Sequence, residues 1–257
     1  MRVLLKKVRT RTARPRDTIS TVGSYQTAEQ VREKHLNDMG QELGSVYNVL
    51  ANDVTWLHLK WDQYRQLFAK SQQRIDVLNQ TAGHFFRLLQ GALFEGMVLH
   101  LARLTDPAQT GSGRKAQQNL SLQRLPSVVP DLLRPEVAIL VQGALDACSA
   151  ARVWRNKRLA HHDLTVALAT ADDPLPDIGQ ADVEAALSGF RSLLNRLELY
   201  YWKVEVGYQL VPLTNIGGDV DQLVYYLNKG LKAEHARQER MMGGKILPED
   251  IAPDEAI

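Results

Sequence analysis

One cysteine occurs in 257 residues. A disulfide within the chain needs two, and a cysteine-based zinc site needs more, so both are excluded and a reducing, cytoplasmic setting is expected. No uninterrupted apolar run approaches the roughly 18–20 residues that span a bilayer, and no membrane partner is expected. The apolar stretch Val3–Leu5 is far too short for a signal peptide. Histidines are few, and none has the His-x3-His spacing with an attendant carboxylate that a metal site requires. His58, His84 and His100 sit singly on helical stripes and read as packing or surface residues. No nucleophile elbow accompanies any serine. A phosphate loop is also absent: Ser112-Gly113-Arg114-Lys115 carries glycine beside basic residues, but without the Walker spacing or a preceding strand. Residues 107–119 therefore read as a mobile loop.

Excess charge is missing too. Thirty-one Lys and Arg face 29 Asp and Glu, a formal charge of +2. The distribution is uneven. Residues 1–16 carry seven basic groups and no acid, and residues 248–257 carry four acids and no base. A chain-wide basic field for nucleic acid is excluded, whereas a basic arm is not. The reading is a disordered basic arm over 1–22, one helical domain over 23–240 and an acidic flexible tail over 241–257.

What is present is helical periodicity. Thr27 and Gln30 have capping-box spacing. Leu43, Val46, Tyr47, Leu50, Val54, Leu57, Trp61, Tyr64 and Phe68 recur every three or four residues, the stripe of an amphipathic helix. Ile75, Leu78, Ala82, Phe85, Phe86, Leu89, Leu93, Met97 and Leu101 predict a second long helix over 73–105. Pro135 opens a helix over 135–160. Val183, Leu187, Phe190, Leu194, Leu197 and Tyr201 mark another over 181–206, and Asp219 can cap a last one over 219–240. No segment alternates with period two for long. The fold class is all-α, with about five to seven helices.

The 135–160 helix carries the chemistry. Its apolar seam runs Val137, Val141, Ala144, Cys148, Ala151, and its small members admit a close neighbour. The next positions on or near that face are Arg155, Arg158 and His162. An apolar seam ending in Arg and His fits a polar pocket at a helix interface. It equally fits a helix emerging into solvent with a basic last turn that complements its dipole. Cys148 on the packed face reads as a small hydrophobe.

Arg155-Asn156-Lys157-Arg158-Leu159-Ala160-His161-His162-Asp163 resembles the signature of the HEPN superfamily: Arg, four to six residues, then His, often with Asn after the Arg. Trp61–Phe68, Leu101–Pro107, Asn119–Leu122 and Gly218–Leu223, in that order, make the chain similar to the abortive-infection, AbiU-type branch over about residues 40–230. The resemblance implies an antiparallel helical bundle that dimerises through its motif helices. It also implies a metal-independent endoribonuclease of toxin–antitoxin or phage-defence type, needing no cofactor and acting on RNA. A cognate antitoxin protein is then an expected partner. A HEPN-type module that binds without cleaving is the alternative.

By this resemblance Arg155 stabilises the phosphate, Asn156 orients or contacts substrate, and His161 is the general acid/base. Arginine stays charged and contacts phosphate bidentately, and histidine titrates near neutrality. His162 also satisfies the spacing. On an ideal helix it lies roughly 20° from the face of Arg155, against roughly 240° for His161. The Ala-His order favours His161, and the choice stays open. Asp163 can orient an imidazole or cap the next turn. Arg158, Glu95, Arg103 and Asp106 are further candidates for substrate binding or catalysis. Arg103 and Asp106, three residues apart, can simply pair with one another.

Overall fold

The computed structural model describes residues 26–159, 164–168, 175–210 and 219–251. The fold is all-α. Six helices of twelve or more residues stand among the described residues: α1 (Ala28–Met39), α2 (Gln41–Phe68), α3 (Gln72–Leu104), α5 (Arg134–Ala147), α8 (Gln180–Trp202) and α9 (Val220–Met242). Short helices α4 (Leu125–Val128), α6 (Ser149–Trp154), α7 (Leu164–Ala167) and α10 (Pro248–Ile251) complete the set. Cα packing divides the chain into two compact units, residues 1–61 with 94–212, and 62–93 with 213–257. Two of the three boundaries fall inside helices, at 61/62 in α2 and 93/94 in α3, and the third, at 212/213, lies outside the described residues.

In the first unit the capping box forms as spaced. The Gln30 N–H donates to Thr27 Oγ1 at 3.2 Å, and the Thr27 N–H donates to Gln30 Oε1 at 2.9 Å. Gly44 lies so near α1 that a Cβ there would stand 2.4 Å from the His35 carbonyl oxygen, so only glycine permits this approach. Leu43, Tyr47, Leu50, Val54, Leu57 and Trp61 are buried along the predicted stripe of α2. They join Met97, Leu101, Leu122, Leu133, Val137, Ala144, Leu187, Phe190 and Leu194 in the core. The small-residue seam does what its size allows: a Cβ on Gly189 of α8 would lie 3.5 Å from the Ala144 Cα of α5.

Four expectations need correction. The helix over 135–160 is not continuous. At Cys148 the backbone leaves helical values (φ −97°, ψ 9°), and the segments on either side meet at 57°. The Cys148 N–H is shared between the Ala144 and Leu145 carbonyls at 3.2 Å. After α6 the residues Arg155–Leu159 form a π turn. Residues 107–119 are a small hairpin, not a featureless loop. Strands β1 (Gln109–Thr110) and β2 (Gln117–Gln118) pair antiparallel around Gly111, whose φ of 74° suits glycine. Helix α3 has the expected ends but is kinked at Ala82 (φ −154°, ψ 59°), and Phe85 of its predicted stripe is 60% exposed. Finally, α3 is long and apolar enough, by length and composition alone, to cross a membrane, with 33% of the qualifying stretch buried. A search for an unbroken apolar run passes over it because Arg87 and Glu95 interrupt it.

In the second unit Leu67, Leu78, Phe86, Val220 and Val224 form the core. Asp219 caps α9 as expected, its carboxylate accepting from the Gln222 N–H at 2.9 Å. Arg74 and Lys70 both bind Asp221, at 2.6 and 2.9 Å. The acidic tail is not wholly free. Within 248–251, Asp250 is buried and accepts from Arg240 Nε at 3.0 Å and from the Leu247 N–H at 3.0 Å. The Arg240 guanidinium, then that N–H, hold its carboxyl down at about 2.

Candidate functional site

The site lies in the first unit, where α3 ends and the π turn begins. Thr105 closes α3, its hydroxyl donating to the Leu101 carbonyl at 3.0 Å while its side chain is buried. The Asp106 N–H then donates to the Arg103 carbonyl at 3.2 Å, so Asp106 springs from an ordered turn. Across from it stands Arg155. Arg155 Nη2 lies 2.5 Å from Asp106 Oδ1 and Nη1 lies 3.3 Å from Oδ2, a two-pronged ion pair with side chains 26% and 18% exposed. Arg155 Nε is buried and meets no acceptor among the described residues.

The expected Arg103–Asp106 pair does not form. Arg103 Nη2 instead contacts Asp53 Oδ2 at 3.2 Å, and His100 Nε2 lies 3.8 Å from the same oxygen. The His100 imidazole first, and then the Arg103 guanidinium, hold the Asp53 carboxyl below its usual range. Residues three apart on a helix can meet, but each here finds a partner on another segment that serves it better. His58 and His100 are buried, and His84 is exposed.

Next to Arg155, the Trp154 indole N–H donates to the Pro176 carbonyl at 2.6 Å, and Phe94 meets the ring edge-on with centroids 5.6 Å apart. The Arg158 guanidinium lies over the same ring, 5.2 Å from its centroid. Asn156 and Arg158 are exposed. Glu95 is exposed on α3, and among the described residues no contact joins it to Arg155. His161, His162 and Asp163 lie outside the described residues. The angular count that separated the two imidazoles assumed an α-helix. A π turn closes i to i+5, so that count does not hold beyond Arg155.

Asp53, His100, Phe94 and Trp154 carried no functional expectation from the sequence. Trp154 had a usable signal, an aromatic four residues before Arg158. Burial pushes the Cys148 thiol up to about 12, which makes it a small hydrophobe at neutral pH. Among the described residues no three His, Cys, Asp or Glu side chains gather as a metal site would need.

A family model, AbiU2 of the HEPN type, matches residues 40–204, which include Asp53, Asp106 and the whole Arg155 motif. The chain belongs to the HEPN AbiU2 family. No curated protein and no solved structure is detectably similar to it. Within this HEPN chain, then, Arg155 opens the π turn that follows the bent helix and pairs with Asp106, two residues beyond the end of α3.

Proposed function

We propose that this HEPN protein is a metal-independent endoribonuclease, acting as a toxin or phage-defence effector in the cytoplasm and working as a homodimer. The observation that carries the reading is Arg155: a motif guanidinium, held in place yet partly exposed, in a chain of this family. In the reaction a ribose 2′-oxygen attacks the adjacent phosphorus and loses its proton to a base. The bond from phosphorus to the 5′-oxygen breaks, and that oxygen takes a proton from an acid. The products are a 2′,3′-cyclic phosphate and a 5′-hydroxyl, with no water or metal consumed. Arg155 neutralises the charge that builds on the phosphorane oxygens. His161, with His162 as the competing choice, moves the protons, and in a dimer one imidazole accepts while its symmetry mate donates. Asn156 orients the substrate.

The test is incubation with RNA in the presence of a chelator. Cleavage that survives the chelator, and is lost in Arg155→Ala and His161→Ala, supports the reading. Activity retained in His161→Ala and lost in His162→Ala reassigns the imidazole. Intact RNA with the wild type, at protein concentrations that bind it, makes the chain a binding module instead. That second reading draws on one observation, namely that two of the Arg155 nitrogens already have a carboxylate partner.

A further inference from the structure

We infer that Asp106 is the positioning residue for Arg155, and that a phosphate meets the guanidinium without displacing it. This rests on the ribonuclease reading for its consequence, though not for its geometry. A guanidinium has five N–H donors in a rigid plane. Asp106 takes one from each Nη, approaching end-on. Nε faces buried space. Among the described residues nothing takes the outward hydrogen on either Nη, and the side chain as a whole is 26% exposed.

The chain geometry explains why such a tether is needed. Arg155 opens a π turn after a helix that has already bent at Cys148, so its own backbone belongs to no long regular element. Asp106 is the opposite case, fixed by the Thr105–Leu101 and Asp106–Arg103 hydrogen bonds that close α3. An unheld arginine would lose much rotamer freedom on meeting a phosphate; one already clamped has lost it in the free protein. Asp106 is poorly suited to accept a substrate proton, since both its oxygens bind the guanidinium. Nor can it contact a phosphate, which carries the same charge. Its effect passes through Arg155.

The experiment uses the full chain and two readouts. The first needs no activity. Side-chain guanidinium resonances of Arg155, assigned by their loss in Arg155→Lys, report whether rotation about Nε–Cζ is hindered. Separate, slowly exchanging Nη signals are expected in the wild type, averaged signals in Asp106→Ala, and an intermediate case in Asp106→Asn, which keeps one acceptor. The second readout is chelator-resistant cleavage. Asp106→Ala is expected to lower kcat by about 10- to 100-fold. Affinity for an uncleavable 2′-deoxy strand should stay within about threefold, because the tether aims the arginine and is not itself a phosphate ligand. The pH profile should keep its shape, and Asp106→Ala added to Arg155→Ala should cost nothing more, because the two act as one unit.

Arg155 signals that stay unaveraged in Asp106→Ala overturn the inference. So does a further loss from Asp106→Ala in the Arg155→Ala background, or a displaced acid limb, either of which would give Asp106 its own role at the substrate. If Asp106→Ala does not fold, Asp106→Asn carries both readouts. If the wild type leaves RNA intact, the ribonuclease reading falls alone, and the resonance readout still decides the tether.

Discussion

The first unit contains two polar clusters built on the same plan with opposite outcomes. In one, Glu198 of α8 accepts the hydroxyls of Tyr47 from α2 and of Tyr208, the latter at 3.0 Å, and the two phenol oxygens lie 3.4 Å apart. These three residues are 4%, 1% and 2% exposed. Burial, more than any neighbour, pushes both phenols well above their ordinary range, which keeps their protons in the network. In the other cluster Asp106 and Arg155 pair just as closely but stay partly exposed. Two members of the closed cluster stand on the long helices α2 and α8 and the third, Tyr208, on a short 3-10 turn, while the open cluster stands just past a helix end and on a π turn. A polar group enclosed on every side can only hold the fold. One left open at an irregular backbone can also act on a ligand.

This contrast is broken most sharply by exchanging the readouts. Arg155→Ala is expected to lower chelator-resistant cleavage by about 100-fold or more, the scale of removing one preorganised charge donor, while changing the denaturation midpoint little. A variant that loses stability in step with activity would erase the distinction between the clusters. The closed cluster should answer to pH instead. His58 is buried against Tyr208, their rings stacked at 6.3 Å, with Nε2 enclosed and without a hydrogen-bond partner among the described residues. Burial first, then the charge of Arg191, depress its imidazole to about 4. In the unfolded chain it titrates near 6.5, so between these values the unfolded state binds more protons. Stability is then full above pH 6.5 and falls by about 3 kcal/mol as pH drops to 4. Urea titrations of the wild type and His58→Gln across that window check this. Parallel loss in both proteins would remove His58 as the cause.

The sequence was informative where structure is local and periodic. The Thr27–Gln30 box, the Asp219 cap, the α2 stripe and the small residues at Ala144 all follow from spacing along one helix. The family was legible by resemblance. What could not be read was pairing across elements: Arg103 turns to Asp53 and Asp106 to Arg155, although their own spacing allows a mutual pair. Tyr47 meets Glu198 across 151 residues, a distance no helical period encodes. The bend at Cys148 and the π turn after Trp154 were equally hidden, since neither contains the Pro or Gly that usually announces a break.

The two smallest predictions probe the rim of each cluster. On the closed side, Asn195 clamps both backbone groups of Val206, at 2.8 and 3.2 Å, and so delivers Tyr208 to Glu198. Tyr208→Phe removes one hydroxyl from a buried carboxylate that keeps Tyr47. The expected cost is about 1–2 kcal/mol in denaturant unfolding, with kcat/KM of the folded protein unchanged. A drop in cleavage without a drop in stability would tie this cluster to the site after all. On the open side, the Arg158 guanidinium, a planar cation, lies over a Trp154 ring that Pro176 and Phe94 already fix. Nucleobases stack on such planes, whereas phosphates answer to charge alone. Arg158→Ala should raise KM about threefold, within the roughly 1 kcal/mol of an exposed cation–π contact, and leave kcat intact. Arg158→Lys keeps the charge and loses the plane. If it restores KM fully, Arg158 contributes only charge; if it behaves like the alanine variant, the stacked plane is what the RNA uses.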